Sequence, residues 1–422
     1  MSNPAPANQT SAYLTLPTNS PFLTPSPSSH DFRSDTVTTP SLTQLHALTS
    51  PTLSLGDDVY SESTTTTNLT TRLCTLFNKP HGLFVTSGTQ SNQIALLTHL
   101  ARSGGPPHSI IADSDSHILN YEAGGTATLG GCQIMPITPQ NGKWVTLEEV
   151  KRKAAVGAVG EDEHYAGTKV VCLENTINGV VMPVEEMRRI REWAREVGVK
   201  VHLDGARLWN AAVAVAEERD TAERGKEYEV TGQLRGTVEA LRELTACVDT
   251  VSVCLSKGIG APVGSVLLAD DEKFIAHARR FRKMLGGGLR QTGVLTAMAD
   301  AAVTEVWESN NAALLQRTHR IARRLSKKWV ELGGTLNKEV ESSMLWLGGI
   351  DDVDGGVERW EALAKEDGCK VAYSRVVVHW QITDEAVKGL ERAMERYWVE
   401  RKQGTWGSAE DEAKEAKKVG YR

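Results

Sequence analysis

The chain has 422 residues, 40% of them hydrophobic and 24% charged, with a formal net charge of −6 spread in both signs along it. Such a composition supports one large domain and a smaller one, and it excludes nucleic acid or an anionic membrane surface as the main partner. No apolar run approaches the roughly 18–20 residues of a membrane span, and six scattered cysteines, with no Cys-x-x-Cys pair and no metal-ligand spacing, suit a reducing cytoplasm and no bound metal.

Residues 1–30 contain no Arg, Lys, Asp or Glu and are rich in Pro, Ser, Thr and Asn. They lack the basic start and apolar block of a secretory signal and the arginines of a mitochondrial presequence, so they read as a disordered leader. From Phe32 on, short apolar runs alternate with helical patterns. Residues 83–86 are strand-like, end at Ser87-Gly88-Thr89, and lead into helical spacing at 90–102. Further strands are expected at 109–113, 169–174, 199–204 and 249–255. A helix is expected at 184–197, Glu-rich at its start, Arg-rich after, with Gly198 as its stop. This alternation implies an α/β fold, a mostly parallel sheet with helices on both faces, and ligands bound at the carboxyl ends of strands. The charged stretch 217–235 reads as a surface helix or insertion. Gly286-Gly287-Gly288 marks a tight loop. After it come helical patterns at 292–307 and 312–332, strands at 343–347 and 375–379, and a helix at 385–398. The expected division is a leader (1–30), a large domain (31–285), a smaller C-terminal α+β domain (286–400) and a charged tail (401–422).

Three strand ends carry chemistry. Ser256-Lys257-Gly258 follows the 249–255 strand. A lysine flanked by small residues there can form a Schiff base if its neighbours depress its pKa, although a solvated lysine is the commoner case. Asp204-Gly205-Ala206-Arg207 ends another strand, and its carboxylate can pair with the ring nitrogen of pyridoxal phosphate, keeping the ring an electron sink. The Ser87-Gly88-Thr89 turn opens a helix, where free amides and two hydroxyls can bind phosphate. Each signal is weak alone. In the order phosphate turn, aspartate, lysine, they are what a fold-type I pyridoxal-phosphate enzyme requires.

With these stand Phe32-Arg33-Ser34-Asp35-Thr36-Val37-Thr38, Gly56-Asp57-Asp58-Val59-Tyr60, Ser116-His117, Tyr121-Glu122-Ala123-Gly124-Gly125, Leu173-Glu174-Asn175-Thr176, Arg282-Lys283-Met284-Leu285-Gly286-Gly287-Gly288-Leu289-Arg290-Gln291 and Arg375-Val376-Val377-Val378-His379. In this order the chain resembles the threonine aldolases of the aromatic amino acid beta-eliminating lyase/threonine aldolase group. The resemblance implies an aspartate aminotransferase-like fold and pyridoxal phosphate as cofactor. It implies a homo-oligomer, dimer or tetramer, with shared active sites. Lys257 would be the Schiff-base lysine, and Asp204 would hold the ring nitrogen. Arg207 would reach the ring hydroxyl and the substrate carboxylate, and His117 would stack on the ring. Ser87, Gly88 and Thr89 would bind phosphate near Ser256, with Lys283 and Arg290 nearby, from the same or a partner subunit. Ser34 and Arg375 would fix the carboxylate of an amino-acid substrate, with Tyr60 beside it. His164, just before the 169–174 strand, would lie near the substrate's side-chain hydroxyl.

The pattern departs at Ser61-Glu62-Ser63-Thr64-Thr65, where the family has Gly-x-Asp-Pro-Thr, at Ser342-Ser343-Met344, and at Val378. The implied reaction is reversible cleavage of a β-hydroxy-α-amino acid, L-threonine or L-allo-threonine, to glycine and an aldehyde. Rival outcomes on the same scaffold are β-elimination, transamination and racemisation. A non-catalytic scaffold is disfavoured by the presence of Lys257, Asp204 and both arginines.

Overall fold

The computed structural model describes residues 20, 22, 25–225, 234–309 and 311–404. Its main sheet has seven strands: β1 (His81–Val85), β2 (His108–Asp113), β3 (Gln133–Ile137), β4 (Gly167–Glu174), β5 (Lys200–Gly205), β6 (Thr250–Cys254) and β7 (Ser265–Ala269). They lie in the order β1-β7-β6-β5-β4-β2-β3. β7 runs against both its neighbours and every other pairing is parallel. The mostly parallel sheet is therefore present, with β3 and β7 beyond the expected strands. Every residue of β2, β6 and β7 is buried. A strand covered on both faces shows no polar–apolar alternation. β7, five residues long, was too short a run to separate from helix by period.

The longer helices are α1 (Thr64–Phe77), α2 (Gly88–Arg102), α3 (Val184–Glu196), α4 (Leu208–Arg224), α5 (Thr237–Ala246), α6 (Glu272–Met284), α7 (Gly293–Val303), α8 (Ala313–Glu331), α9 (Gly356–Glu366) and α10 (Asp384–Gln403). α3 is an ordinary amphipathic helix: Val184, Met187, Ile190, Trp193 and Ala194 face the core. Gly198 follows it at φ 75, the left-handed conformation that ends many helices. α2 differs, because all residues from Ser91 to Leu100 are buried. It packs on β1, β4, β5, β6 and β7. No described helix is long and apolar enough to cross a membrane.

A second sheet, β8 (Thr335–Leu336), β9 (Met344–Gly348) and β10 (Arg375–Val377), is antiparallel in the order β10-β9-β8. With α8, α9 and α10 it encloses a separate core around Trp329, Trp360 and Tyr397.

Three expected boundaries shift. Val306, Trp307 and Leu315 pack in the core of the main sheet, so the second core does not begin at 286. Phe32 belongs instead to the second core, pinned by Phe32 N–H to Lys370 O (2.7 Å) and Val377 N–H to Phe32 O (2.8 Å). The leader's last residues are also seated: Ser26 and Ser28 hydroxyls both donate to Gln381 Oε1 at 2.8 Å, and Thr383 N–H donates to Ser29 O at 3.2 Å. The 217–235 stretch is corrected too. Its first part is the last two turns of α4, where Glu217 and Asp220 are buried, and residues 226–233 lie outside the described ones. Of the tail 401–422, Arg401 to Gln403 finish α10, Gly404 caps it, and the rest lies outside the described residues.

Candidate active site

The carboxyl edge of the sheet collects the chemistry. Glu174 and Asp204 end adjacent parallel strands in register, and Asp204 faces Ser252 on β6. Lys257 follows β6 by three residues. Its loop is fixed by Gly260 N–H donating to Lys257 O (2.9 Å). Gly258 is required there: a Cβ would meet Asn210 Oδ1 at 2.7 Å. Ser256 is half-buried, its Oγ 3.3 Å from Cys254 Sγ.

The turn between β1 and α2 is built for an anion. Ser87 Oγ accepts from Gln90 N–H (3.1 Å), and Gln90 Oε1 accepts from Thr86 N–H and Oγ–H, both at 3.0 Å. These bonds hold the turn rigid while its first amides stay free. A Cβ at Gly88 would meet nothing within 4 Å, so the approach is open. The glycine loop lies against this turn, since a Cβ at Gly287 would strike Gln90 Nε2 at 2.5 Å. Lys283 is exposed beside the loop. Arg290 is exposed and ion-paired to Asp57 at 2.7 Å, without contact to the turn. The buried guanidinium next to Lys283 is Arg282, which binds Asp58 (2.5 Å) and Phe84 O (2.8 Å).

His117 is held from both ends. Its backbone N–H donates to Glu174 Oε2 (2.8 Å), and its ring Nδ1 meets Glu122 Oε1 (3.0 Å). Glu122 is buried, and the side-chain amides of Asn92 (2.8 Å) and Gln93 (2.5 Å) donate to it. Asn92 also donates to Asp204 Oδ2 (2.7 Å), while Ala206 N–H donates to Asp204 Oδ1 (3.0 Å). One ligand atom each from His117, Glu122 and Asp204 lies within 4.8 Å of the others. Burial, helped by the charge of Asp204, pushes Glu174 up to about 8.

On the substrate side, Arg207 is already occupied. Its Nε and Nη2 donate to the buried Asp35 at 2.9 and 2.7 Å. Burial would raise Asp35, but Arg207 and then Lys257 bring it below the ordinary carboxylate value. Arg375 opens β10 close to this pair and donates to Arg33 O (3.1 Å). Burial and the charge of Arg207 lower its pKa. No carboxylate among the described residues forms an ion pair with it.

Three expected residues make no side-chain bond to these groups. Ser34 Oγ caps the short turn Asp35–Val37, accepting from Thr36 N–H (3.2 Å) and Thr36 Oγ–H (2.9 Å), the role its residue type favours. Tyr60 is 72% exposed. His164 is corrected: it lies exposed before the first residue of β4, bound through its backbone to Asp162. The pocket lies at the other end of that strand, roughly 23 Å away at the usual rise per residue. Asp35, Glu122 and Glu174 were missed as functional although they stand inside quoted motifs. Asn92 had no signal beyond being a polar residue in a helix.

Pyridoxal phosphate fits this donor set. The open helix N-terminus at Gly88 suits its phosphate, the buried Asp204 carboxylate its ring nitrogen, and the Lys257 amine its carbonyl carbon.

Residues 31–347 match the family described as beta-eliminating lyase. Aldolase vrtJ of Penicillium aethiopicum is 39% identical over 88% of this chain and 86% of its own. Alanine racemase TOXG of Cochliobolus carbonum is 38% identical over 85% of each. A low-specificity L-threonine aldolase of Eremothecium gossypii is 37% identical over 87% of each. Among solved structures, the threonine aldolase of Leishmania major superposes with a TM-score of 0.66 at 17% identity, covering 89% of this chain and all (100%) of that one.

Proposed function

The chain belongs to the beta-eliminating lyase family, and on that premise we propose that it cleaves L-threonine and L-allo-threonine reversibly to glycine and acetaldehyde. It is a pyridoxal-phosphate-dependent lyase of the fold-type I α/β class. The observation that carries the substrate reading is Arg375. Among the described residues it is a guanidinium without a carboxylate ion pair, set beside an Arg207 that Asp35 has already neutralised.

When bound, pyridoxal phosphate supplies the sink for the electron pair of the severed Cα–Cβ bond. The chain's own residues do the rest. Arg375 presents a planar two-donor fork to the substrate carboxylate, which sets the bond to be broken. Asp35 keeps Arg207 aimed and lowers the positive charge beside Arg375. His117 donates Nδ1–H to Glu122, which leaves Nε2 bare to accept the proton of the β-hydroxyl. The Lys257 amine returns a proton to Cα. Tyr121 (72% exposed) and Met284 (65%) stand uncovered on the site's own segments, which supports a second copy of the chain covering the mouth.

A second reading is alanine racemisation, favoured by the Cochliobolus carbonum relative. One assay separates them. The holoenzyme is given L-threonine, L-allo-threonine and L-alanine, and acetaldehyde, glycine and D-alanine are measured. Acetaldehyde with equimolar glycine supports the aldolase. D-alanine without acetaldehyde overturns it.

A further inference from the structure

Behind Asp204 runs a buried chain of neutral polar groups with no part in the mechanism above. Asn92, 1% exposed on α2, puts its amide nitrogen on two carboxylates at once, Asp204 (2.7 Å) and Glu122 (2.8 Å). Those bonds need N–H donors, so Asn92 Oδ1 must face the other way, and there it meets His202 Nε2 at 3.1 Å. His202 stands two residues before Asp204 on β5, on the same face of the strand. Its other nitrogen, Nδ1, lies 2.9 Å from Thr250 Oγ1, and the same hydroxyl lies 2.9 Å from His99 Nε2. Burial pushes both histidines down to about 3, so each is neutral and carries one ring proton.

The proton positions follow from Asn92. His202 must carry its proton on Nε2 to donate to Oδ1, so Nδ1 is bare. The hydroxyl of Thr250 must therefore donate to Nδ1. Its oxygen is then the acceptor for His99 Nε2–H. Every donor in the chain points one way, from His99 through Thr250, His202 and Asn92 to Asp204.

We propose that His99, Thr250, His202 and Asn92 form a one-way hydrogen-bond relay that positions Asp204 for the cofactor and holds Glu122 beside it on the same amide. Asn92 is the positioning residue, His202 sets its orientation, and Thr250 sets the tautomer of His202. Without the amide, the two neighbouring buried carboxylates lose the donor they share. The proposal rests on the reading of Asp204 as the ring-nitrogen partner. The titratable groups set against Asp204 are Glu122, Glu174, Cys172, His117 and His202.

Thr250 gives the sharpest test, because it lies two residues below Ser252, the register partner of Asp204. Thr250→Val keeps the shape and removes the hydroxyl; Thr250→Ser keeps the hydroxyl. The readouts are the dissociation constant for pyridoxal phosphate added to apoenzyme, the pH profile of the bound cofactor's visible band, and the apoenzyme melting temperature. Thr250→Val is expected to weaken cofactor binding roughly fivefold or more and to displace the band's pH profile, as the loss of two buried hydrogen bonds in series implies. Thr250→Ser is expected to restore both. Asn92→Leu is expected to exceed Thr250→Val, and if it does not fold, the Thr250 pair decides alone. Wild-type affinity and pH profile in Thr250→Val overturn the relay, as do equal defects in Val and Ser variants. Asp204→Asn tells the two failures apart. If it shifts the band while Thr250→Val does not, only the relay is wrong; if neither shifts it, the reading of Asp204 is wrong.

Discussion

Asp35→Ala removes the carboxylate that takes two hydrogen bonds from Arg207. Both are charge-assisted, at 2.9 and 2.7 Å, and the side chains are only 3% and 15% exposed. Truncation leaves a nearly dry guanidinium without its counter-charge, close to Arg375 and Lys257. Removing one partner of a buried pair costs about 3–5 kcal/mol, and the residual exposure of Arg207 places this case near the lower end. The pH dependence has a definite sign. The folded pKa of Asp35 lies below its ordinary 3.8, because Arg207 and Lys257 outweigh burial. Its contribution is therefore complete above the unfolded value of about 3.9 and is lost as pH falls through the lower folded value. Urea denaturation of apoenzyme at pH 7, 5 and 3 measures this. The gap between wild type and Asp35→Ala should be constant from pH 7 to 5 and smaller at pH 3. Asp35→Leu combined with Arg207→Met should recover much of the loss, since an apolar pair replaces a buried ion pair at little cost. A wild-type urea midpoint at pH 7, or a gap that widens on acidification, would refute the reasoning.

Arg375→Lys should raise KM for L-threonine and lower kcat by about tenfold or more, because an ammonium cannot reproduce the two-donor fork; steady-state kinetics decide, and unchanged constants place Arg375 outside the site. His164→Ala should leave the ratio of L-threonine to L-allo-threonine turnover near wild type; a large shift would mean that a second copy of the chain brings His164 to the pocket. Deleting residues 1–29 should lower the melting temperature relative to deleting 1–24, because only the longer deletion removes the Ser26, Ser28 and Ser29 contacts to Gln381 and Thr383; equal melting curves would show those contacts to be idle. Lys257→Ala should lose the bound cofactor's visible band and all but a trace of turnover while melting like wild type, and a variant with full activity would remove Lys257 from the chemistry.

Lys257 and Asp204 were legible because each stands at the end of an apolar run, Lys257 between Ser256 and Gly258 and Asp204 ahead of Gly205 and Ala206, a pattern that marks strand direction as well as strand existence. The phosphate turn was legible because Ser87-Gly88-Thr89 stands between an apolar run and helical spacing. His164 shows the limit of that reading. It is close in sequence to β4, but at the amino end, and parallel strands bring their carboxyl ends to the ligand. Arg207 was identified as a substrate-binding group from its motif. Its partner stands 172 positions earlier, and no local pattern reports such a pair. Asn92, His99 and His202 were invisible for a different reason. Polar residues at helical or strand spacing read as a solvent-facing side unless every other position is known to be buried too. The division into two units was visible in outline, but its boundaries were not. Phe32 crosses to the second core and Leu315 stays with the first, and both are apolar residues that either core would accept.

The burial of α2 around its whole circumference has a consequence for how the sequence can drift. Along α3, tolerance to substitution should rise and fall every three to four residues, because one side meets water. Along α2 a saturation-mutagenesis scan should show an unbroken intolerant band from Ser91 to Leu100, with Ala95 as sensitive to enlargement as Leu96 is to truncation. Its polar members answer to residues far away, Asn92 to Glu122 and His202, His99 to Thr250. Accepted changes in this helix should therefore arrive as compensated pairs spread over three elements, while α3 changes one residue at a time.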